Sequence, residues 1–427
     1  MLLVRQYNKS CDIDETANSS EPSRPRPPTI GGAALVQRQK YRGRGRPGSP
    51  FGSRNAIISP MTWQHYLRVK SRDPAYLWRM VIGIIAAGVV LGWLAHQLTG
   101  GLGFSGPALR AGRDRLEELA SGGQWWQVWW EIPQRMFVDF SPGVIALALL
   151  AGCCWLVFLL QALRSDTLRD WRVWGALVAI ALGGLSVWPT RFFSLWQEYR
   201  WHLEFSPEML PGLRFFVLGV GLREELAKLL CLLPLLALIV RKRDEAAALI
   251  LSGCVGLGFA INENMGYLTS SQGSDTLGRF LTANPFHIAL TGLIGLAVYR
   301  ACLDFRNQGP QALAVFGVLV FAHGLYDAVI VLPDLAEYAM GGLIIFALVM
   351  YQFFHELRSL RPQGGDTISL TATFLAGVSL LTAGTFIYIS ALAGTATAAD
   401  NLMTDVIGLG VMVYLFLREM PETMVNV

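Results

Sequence analysis

Charge is scarce in this sequence: only 15% of its 427 residues are Asp, Glu, Lys or Arg, against about 25% in soluble globular proteins. That shortage excludes a water-soluble enzyme. Cysteine is scarce too. Cys11, Cys153, Cys154, Cys231, Cys254 and Cys302 form no CxxC pair and five of them lie in apolar runs, which excludes a disulfide framework or a cysteine zinc site. HExxH, the strong spacing of zinc hydrolases, is absent. No internal repeat stands out, which counts against an inverted-repeat transporter. No continuous apolar run occurs before Met80, so a cleaved signal peptide is not expected.

What is abundant is apolar residues, 53% of the chain, and their arrangement is uneven. Residues 1–72 hold 13 Lys/Arg against 4 Asp/Glu, with PSRPRPP at 22–28 and YRGRGRPGSP at 41–50. Such a composition cannot bury enough apolar surface to offset chain entropy. This stretch reads as a disordered basic tail that fixes the N-terminus in the cytoplasm, with no nucleic-acid partner expected. Residues 73–427 read as a transmembrane domain, all-α and polytopic. About ten apolar runs approach the roughly 20 residues that span hydrocarbon as a helix: 79–98, 142–163, 171–189, 214–240, 246–268, 285–304, 311–332, 340–355, 368–391 and 401–418. Basic residues sort to alternate loops, with Arg164, Arg169 and Arg172, then Arg241, Lys242 and Arg243, then Arg300 and Arg306, then Arg358 and Arg361. That bias predicts both termini inside. The outward loop 190–212, with Arg191 and Arg200, is the exception. Trp125, Trp126, Trp129 and Trp130 read as a headgroup-depth anchor, next to an amphipathic stretch over 109–120.

Charges inside hydrocarbon cost about 2.5 to 3.5 kcal/mol each even on lenient scales, so the ones that occur there carry information. They cluster in spans four to seven: Arg223, Glu224, Glu225 and Lys228; Asn262, Glu263, Asn264 and Tyr267; His287; His323, Tyr326 and Asp327. At 1.5 Å per residue, Glu225, Glu263, His323 and Asp327 lie roughly 18 to 26 Å from the cytoplasmic ends of their helices, and His287 enters from the outer side. Four helices thus bring their polar residues to one layer in the outer half of the bilayer. Residues three or four apart share a helix face, so Glu224 and Glu225 reach the level of Lys228, Glu263 stacks with Tyr267, and His323 stacks with Asp327. Carboxylates there can serve as base or ligand, imidazoles can ligate or stabilise an oxyanion, and a lysine can neutralise one carboxylate.

The pattern resembles the PrsW family of intramembrane proteases, grouped with the type II CAAX prenyl endopeptidases in the larger CPBP set. The resemblance covers residues 214–332, a four-helix catalytic core. The family's EExxK appears as Glu224, Glu225, Leu226, Ala227 and Lys228, its FxxxEN as Phe259 to Asn264, its single histidine as His287, and its closing HxxxD-like element as His323 to Asp327. The four motifs occur in the family's order, which makes them specific together. The Arg-rich tail, the Trp-rich outer loop and the last spans have no matching counterpart, so substrate choice does not transfer.

The resemblance implies an intramembrane endopeptidase, in a bacterial cell membrane, acting on a membrane protein or membrane-anchored peptide. One member of the family starts the release of a sigma factor by cutting a membrane-bound anti-sigma factor. Carried onto this chain, Glu225 with Glu224 positions or activates water. Glu263 and Asn264 complete the polar site, and His287 and His323 bind a metal or the oxyanion, with Lys228, Tyr267 and Asp327 in support. Two chemistries fit these residue types. In one, Glu263, His287 and His323 with a further carboxylate hold zinc with an open position. In the other no metal is bound, and a buried glutamate activates water while His and Asn donate to the oxyanion. The rival classes are a proton- or cation-coupled transporter, in which the same residues relay protons or bind cations, and an inactive scaffold. More modest roles are expected for Lys228 as the charge partner of Glu224, for Asp327 as an acceptor orienting His323, and for Asn262 as a helix-helix hydrogen bond.

Overall fold

The computed structural model describes residues 63–101, 109–136, 140–165, 169–360 and 368–419. The basic tail lies outside them up to residue 62, and Thr62–Val427 forms one compact unit. Among the described residues there are helices and no strand. The protein is an all-α polytopic membrane protein.

The order along the chain is α1 (Trp63–Lys70), α2 (Pro74–Thr99), α3 (Leu109–Ser121), α4 (Trp125–Arg135), α5 (Pro142–Ala162) and α6 (Trp171–Trp201). It continues with α7 (Met209–Arg214), a π-helical segment (Phe215–Gly221), α8 (Leu222–Lys242), α9 (Glu245–Ser270), α10 (Thr276–Leu281) and α11 (Ala283–Leu303). Then come α12 (Phe305–Val331), a 3-10 turn (Pro333–Tyr338), α13 (Ala339–Leu360), α14 (Leu370–Ala393) and α15 (Thr395–Glu419). Eight stretches are long and apolar enough to cross a membrane: α2, α5, α6, α9, α10 with α11, α12, α13 and α14. The other two expected spans coincide with α8, whose 21 residues include Arg223, Glu224, Glu225, Lys228, Arg241 and Lys242, and with α15, several of whose side chains lie outside the described set.

Capping side chains start these helices where the sequence places Ser or Asp. Asp73, Ser141, Asp170, Asp244 and Ser369 each accept a hydrogen bond from a backbone N–H in the first turn, which satisfies donors that a helix start leaves bare. Asp244 does this for Ala247 N at 2.9 Å and also pairs with Arg172 at 2.6 Å, joining the starts of α6 and α9. Arg300 of α11 bridges Glu245 and Glu356 at 2.6 and 3.0 Å, tying α9, α11 and α13 on the same side.

α9 is the axis of the molecule. It packs on α5, α6, α8 and α11, and from Ala247 to Asn262 every residue is buried. Helices in lipid gain little from hydrophobic exclusion and rely on close packing, so small residues line the contacts. A Cβ on Gly258 would stand 2.0 Å from Ile180 O of α6, and one on Gly256 would stand 2.1 Å from His287 O of α11. Gly256 therefore sets the distance between α9 and α11 at the level of the polar residues. We expect Gly256→Ala to push His287 outward, lower the melting temperature in detergent, and cost about 1–3 kcal/mol as an overpacked contact. A melting curve and turnover equal to wild type would show that the two helices can separate without cost.

One span runs further than its sequence suggests. The third was expected to end at Pro189, yet α6 continues to Trp201 with Pro189 inside it. A proline removes one backbone hydrogen bond and crowds the previous turn. Here the surrounding contacts compensate. Thr190 Oγ1 donates to Ser186 O at 2.9 Å, and Trp188 Nε1 donates to Trp129 O of α4 at 2.7 Å. The ring of Trp129 lies 5.0 Å from that of Phe192, and that of Trp125 lies 4.9 Å from that of Trp196. Half of the tryptophan cluster is thus packing, while Trp126 and Trp130 remain exposed as an interfacial anchor would. The outward loop that broke the basic-residue bias is mostly helix.

The fourth span departs in another way. A continuous helix from residue 214 was expected, but Phe215–Gly221 is π-helical immediately before the EExxK residues. Such segments are rare and recur at functional sites.

Candidate active site

Four helices meet at one buried polar cluster. The start of α8 brings Glu224, Glu225 and Lys228, the second half of α9 brings Glu263 and Asn264, the start of α11 brings His287, and α12 brings His323 and Asp327. Glu224, Glu225, Lys228, Asn264, His287 and His323 are all buried. The side chains of Glu263 and Asp327 are 24% and 29% exposed, which makes these two carboxylates the cluster's accessible rim. Arg223, on the same turn as Glu224, faces away and donates to Gln197 Oε1 at 2.9 Å, joining α8 to the outer part of α6.

Lys228 is the hub of the buried half. Its Nζ lies 2.8 Å from Glu225 Oε1, 2.9 Å from His287 Nδ1 and 3.6 Å from Glu224 Oε2, with the Phe259 ring centroid at 3.9 Å. The sequence expectation paired Lys228 with Glu224; the closer partner is Glu225, one turn away on the same face. An ammonium can only donate, so His287 Nδ1 accepts and His287 Nε2 carries the proton that it donates to Glu263 Oε2 at 3.1 Å. Glu225 is fully engaged. Besides Lys228 it accepts from Thr291 Oγ1 at 3.3 Å and faces His323 Nδ1 at 2.9 Å, the last as a close charge contact without hydrogen-bond alignment.

Glu224 is different. Its Oε2 is buried with no hydrogen-bond partner, 3.8 Å from His323 Nε2. A buried carboxylate oxygen left bare is costly unless something else meets it. Glu224, His287 and His323 each offer a ligand atom within 4.8 Å of the others. Two imidazoles and one carboxylate are a donor set known for catalytic zinc, with a further position open. These residues fit a divalent metal, provided that the Lys228 ammonium turns aside where it meets His287. The sequence reading put Glu263 in this ligand group; the geometry puts Glu224 there and gives Glu263 to His287 and Arg279.

Arg279 was not picked out from the sequence. It sits on α10, between α9 and α11, and its Nη2 donates to Glu263 Oε2 at 2.6 Å while its Nε donates to Asn264 Oδ1. Its guanidinium carbon lies 3.6 Å from the Tyr267 ring centroid, a cation-π contact. Asn284 was also missed; its Oδ1 accepts from Asn264 Nδ2 at 2.5 Å. A charge count held the signal. The motif residues comprise Glu224, Glu225, Glu263 and Asp327 against Arg223 and Lys228, which leaves two negative charges unmatched, and Arg279 stands eight residues before His287.

Other expectations changed. Asp327 Oδ2 is 3.7 Å from His323 Nε2, beyond a hydrogen bond. Tyr326 stacks on Phe286 at 4.4 Å between ring centroids. Asn262 was expected to hydrogen-bond across helices, yet both of its amide atoms are buried without a partner among the described residues, and nothing in the packing accounts for it.

Residues 171–354 match the family described as PrsW family intramembrane metalloprotease. Searches of curated proteins and of solved structures return no match. Over residues 171–354 the chain is thus similar to a family of intramembrane peptidases.

Proposed function

We propose, starting from the similarity of residues 171–354 to the PrsW family, that this chain cuts a single-span or membrane-anchored protein, with Glu224, His287 and His323 at the reacting centre. The observation that carries the assignment is the bare Oε2 of Glu224 beside two buried imidazoles. By contrast, Glu225 Oε1 and Oε2 and Glu263 Oε2 each accept at least one hydrogen bond.

Glu224, His287 and His323 are the residues that would hold a divalent ion such as zinc. Bound there, the ion supplies Lewis acidity to polarise the scissile carbonyl and to acidify water. Glu225 holds Lys228 and aims His323 through its 2.9 Å contact with Nδ1. Glu263 holds His287 in one tautomer by accepting from Nε2, the orienting role that carboxylates play behind catalytic imidazoles. Asp327, on the rim, offers an acceptor to an N–H of the incoming chain. Helices in lipid have their peptide bonds internally paired, so a substrate segment must unwind before its carbonyl can be attacked.

A second reading is favoured by one contact. Lys228 Nζ at 2.9 Å from His287 Nδ1 is a cation already seated against a would-be ligand. In that reading no metal binds, Glu224 Oε2 takes the proton of water directly, and His323 donates to the oxyanion.

Purified full-length protein incubated with a tagged single-span substrate tests both. We expect one defined cut by wild type, lost on treatment with a strong chelator and restored by added zinc. Cleavage undiminished by chelation, in protein shown to be free of metal, selects the second reading. Ion transport by the protein in vesicles without any cleavage would sink both. A sigma-factor-releasing role belongs to the same proposal and is tested by offering a membrane-bound anti-sigma factor as the substrate.

A further inference from the structure

Arg279 makes three contacts with the site and its helix makes its own contacts elsewhere. The guanidinium binds Glu263 and Asn264 and covers Tyr267. Glu263 in turn accepts from His287. The position of one reacting imidazole is therefore relayed through a carboxylate to Arg279.

What fixes Arg279 lies outside the matched segment. On α10, Leu277, Phe280 and Leu281 are buried. Phe280 O accepts from Trp155 Nε1 of α5 at 2.9 Å, a bond across 125 residues of chain. The Phe280 ring lies 5.4 Å from that of Trp155 and 6.5 Å from that of Phe374 on α14. Phe416 of α15 closes the group, 5.6 Å from Trp155 and 5.2 Å from Phe374. Three aromatic rings from α5, α14 and α15 thus gather around the Phe280 ring of the short helix. The three long helices all lie outside residues 171–354. Aromatic groups of this kind contribute both area and orientation.

We infer that Arg279 is a positioning residue for the peptidase site, aligning Glu263 and through it His287, and that α5, α14 and α15 serve the reaction by clamping α10. The inference rests on the peptidase reading above. A planar fork suits two acceptors at once, which a lysine matches only in charge. Arg279 touches neither Glu224 nor His323 in the structure, so its loss should slow turnover without removing the reacting groups.

The test uses full-length protein in detergent, the tagged single-span substrate, and Arg279→Ala, Arg279→Lys and Trp155→Phe. In Arg279→Ala we expect kcat to fall about 10–100-fold, the range seen when the partners behind a catalytic histidine are removed, with KM little changed. Arg279→Lys should recover part of the loss. Guanidinium ion at low millimolar concentration should raise the turnover of Arg279→Ala and leave wild type unaffected. Trp155→Phe keeps a ring but removes the donor to Phe280 O, and should lower kcat in the same direction by a smaller factor. A purely structural Arg279 would lose activity in step with folded protein, and neither lysine nor guanidinium would rescue it; that result overturns the inference. So does unchanged kcat in a folded Arg279→Ala. A wild type that cuts nothing overturns the peptidase reading and this inference with it.

Discussion

Glu224→Gln is expected to lose turnover by a factor of about 10²–10⁴, whether Glu224 holds an ion or takes the proton of water, a role that contributes about that range, while the protein keeps its melting temperature. The two halves of that result have separate causes. Glu224 Oε2 has no hydrogen bond to lose, and its distance to Lys228 is 3.6 Å where Glu225 stands at 2.8 Å. Neutralising it removes a buried charge and disturbs little else. Its neighbour behaves differently. Glu225→Gln breaks a buried ion pair and the contact with His323, so activity should fall together with stability, though by less than on loss of Lys228, because Glu224 remains 3.6 Å from the ammonium. Kinetics and thermal unfolding measured on both variants separate the two carboxylates. Turnover within threefold of wild type in Glu224→Gln would take Glu224 out of the reaction.

The largest loss of stability is expected from Lys228→Met. Lys228 and Glu225 are both wholly buried within the protein. Removing one partner of such a pair strands the other and costs about 3–5 kcal/mol. Two histidines and a second glutamate stand around the stranded charge, which leaves no route to water. The double change Lys228→Met with Glu225→Gln should recover much of the melting temperature, since it leaves no uncompensated carboxylate at that position, yet keep low activity because His323 loses the Glu225 carboxylate that aims it. Equal destabilisation by the single and the double variant would show that the ammonium is held for its packing against Phe259 and not for its charge.

The architecture was legible where hydropathy speaks. Runs of apolar residues gave the helices, and counting 1.5 Å per residue placed Glu225, Glu263, His323 and Asp327 in one layer, where the structure brings them together. The motif residues were legible as types at a spacing. What did not follow from spacing was the division of labour among them. Glu224 and Glu225 are adjacent, so a turn of about 100° about the helix axis decides which meets Lys228 squarely and which keeps a bare oxygen. Arg279 escaped because α10 has six residues and lies between spans, where neither periodicity nor length gives a signal. Pro189 suggested a helix end, and the aromatic contacts of α4 with α6, distant in sequence, overrode it.

The burial of α9 also bears on how the chain is made. From Ala247 to Asn262 this helix meets protein on all sides, and it carries Asn262, Glu263 and Asn264 within the span. Left alone in lipid on leaving the translocon, it would carry those three groups into hydrocarbon at a penalty of kilocalories. Its partners on both sides of the sequence relieve that penalty unequally: α6 and α8 are synthesised before it, whereas His287 and Arg279, which hold Glu263, come after. Glu263 thus waits until Arg279, 16 positions further along the chain, has emerged before its charge is met. The order of synthesis makes α9 a passenger of α6 first and the axis of the enzyme only once α10 and α11 have entered the bilayer.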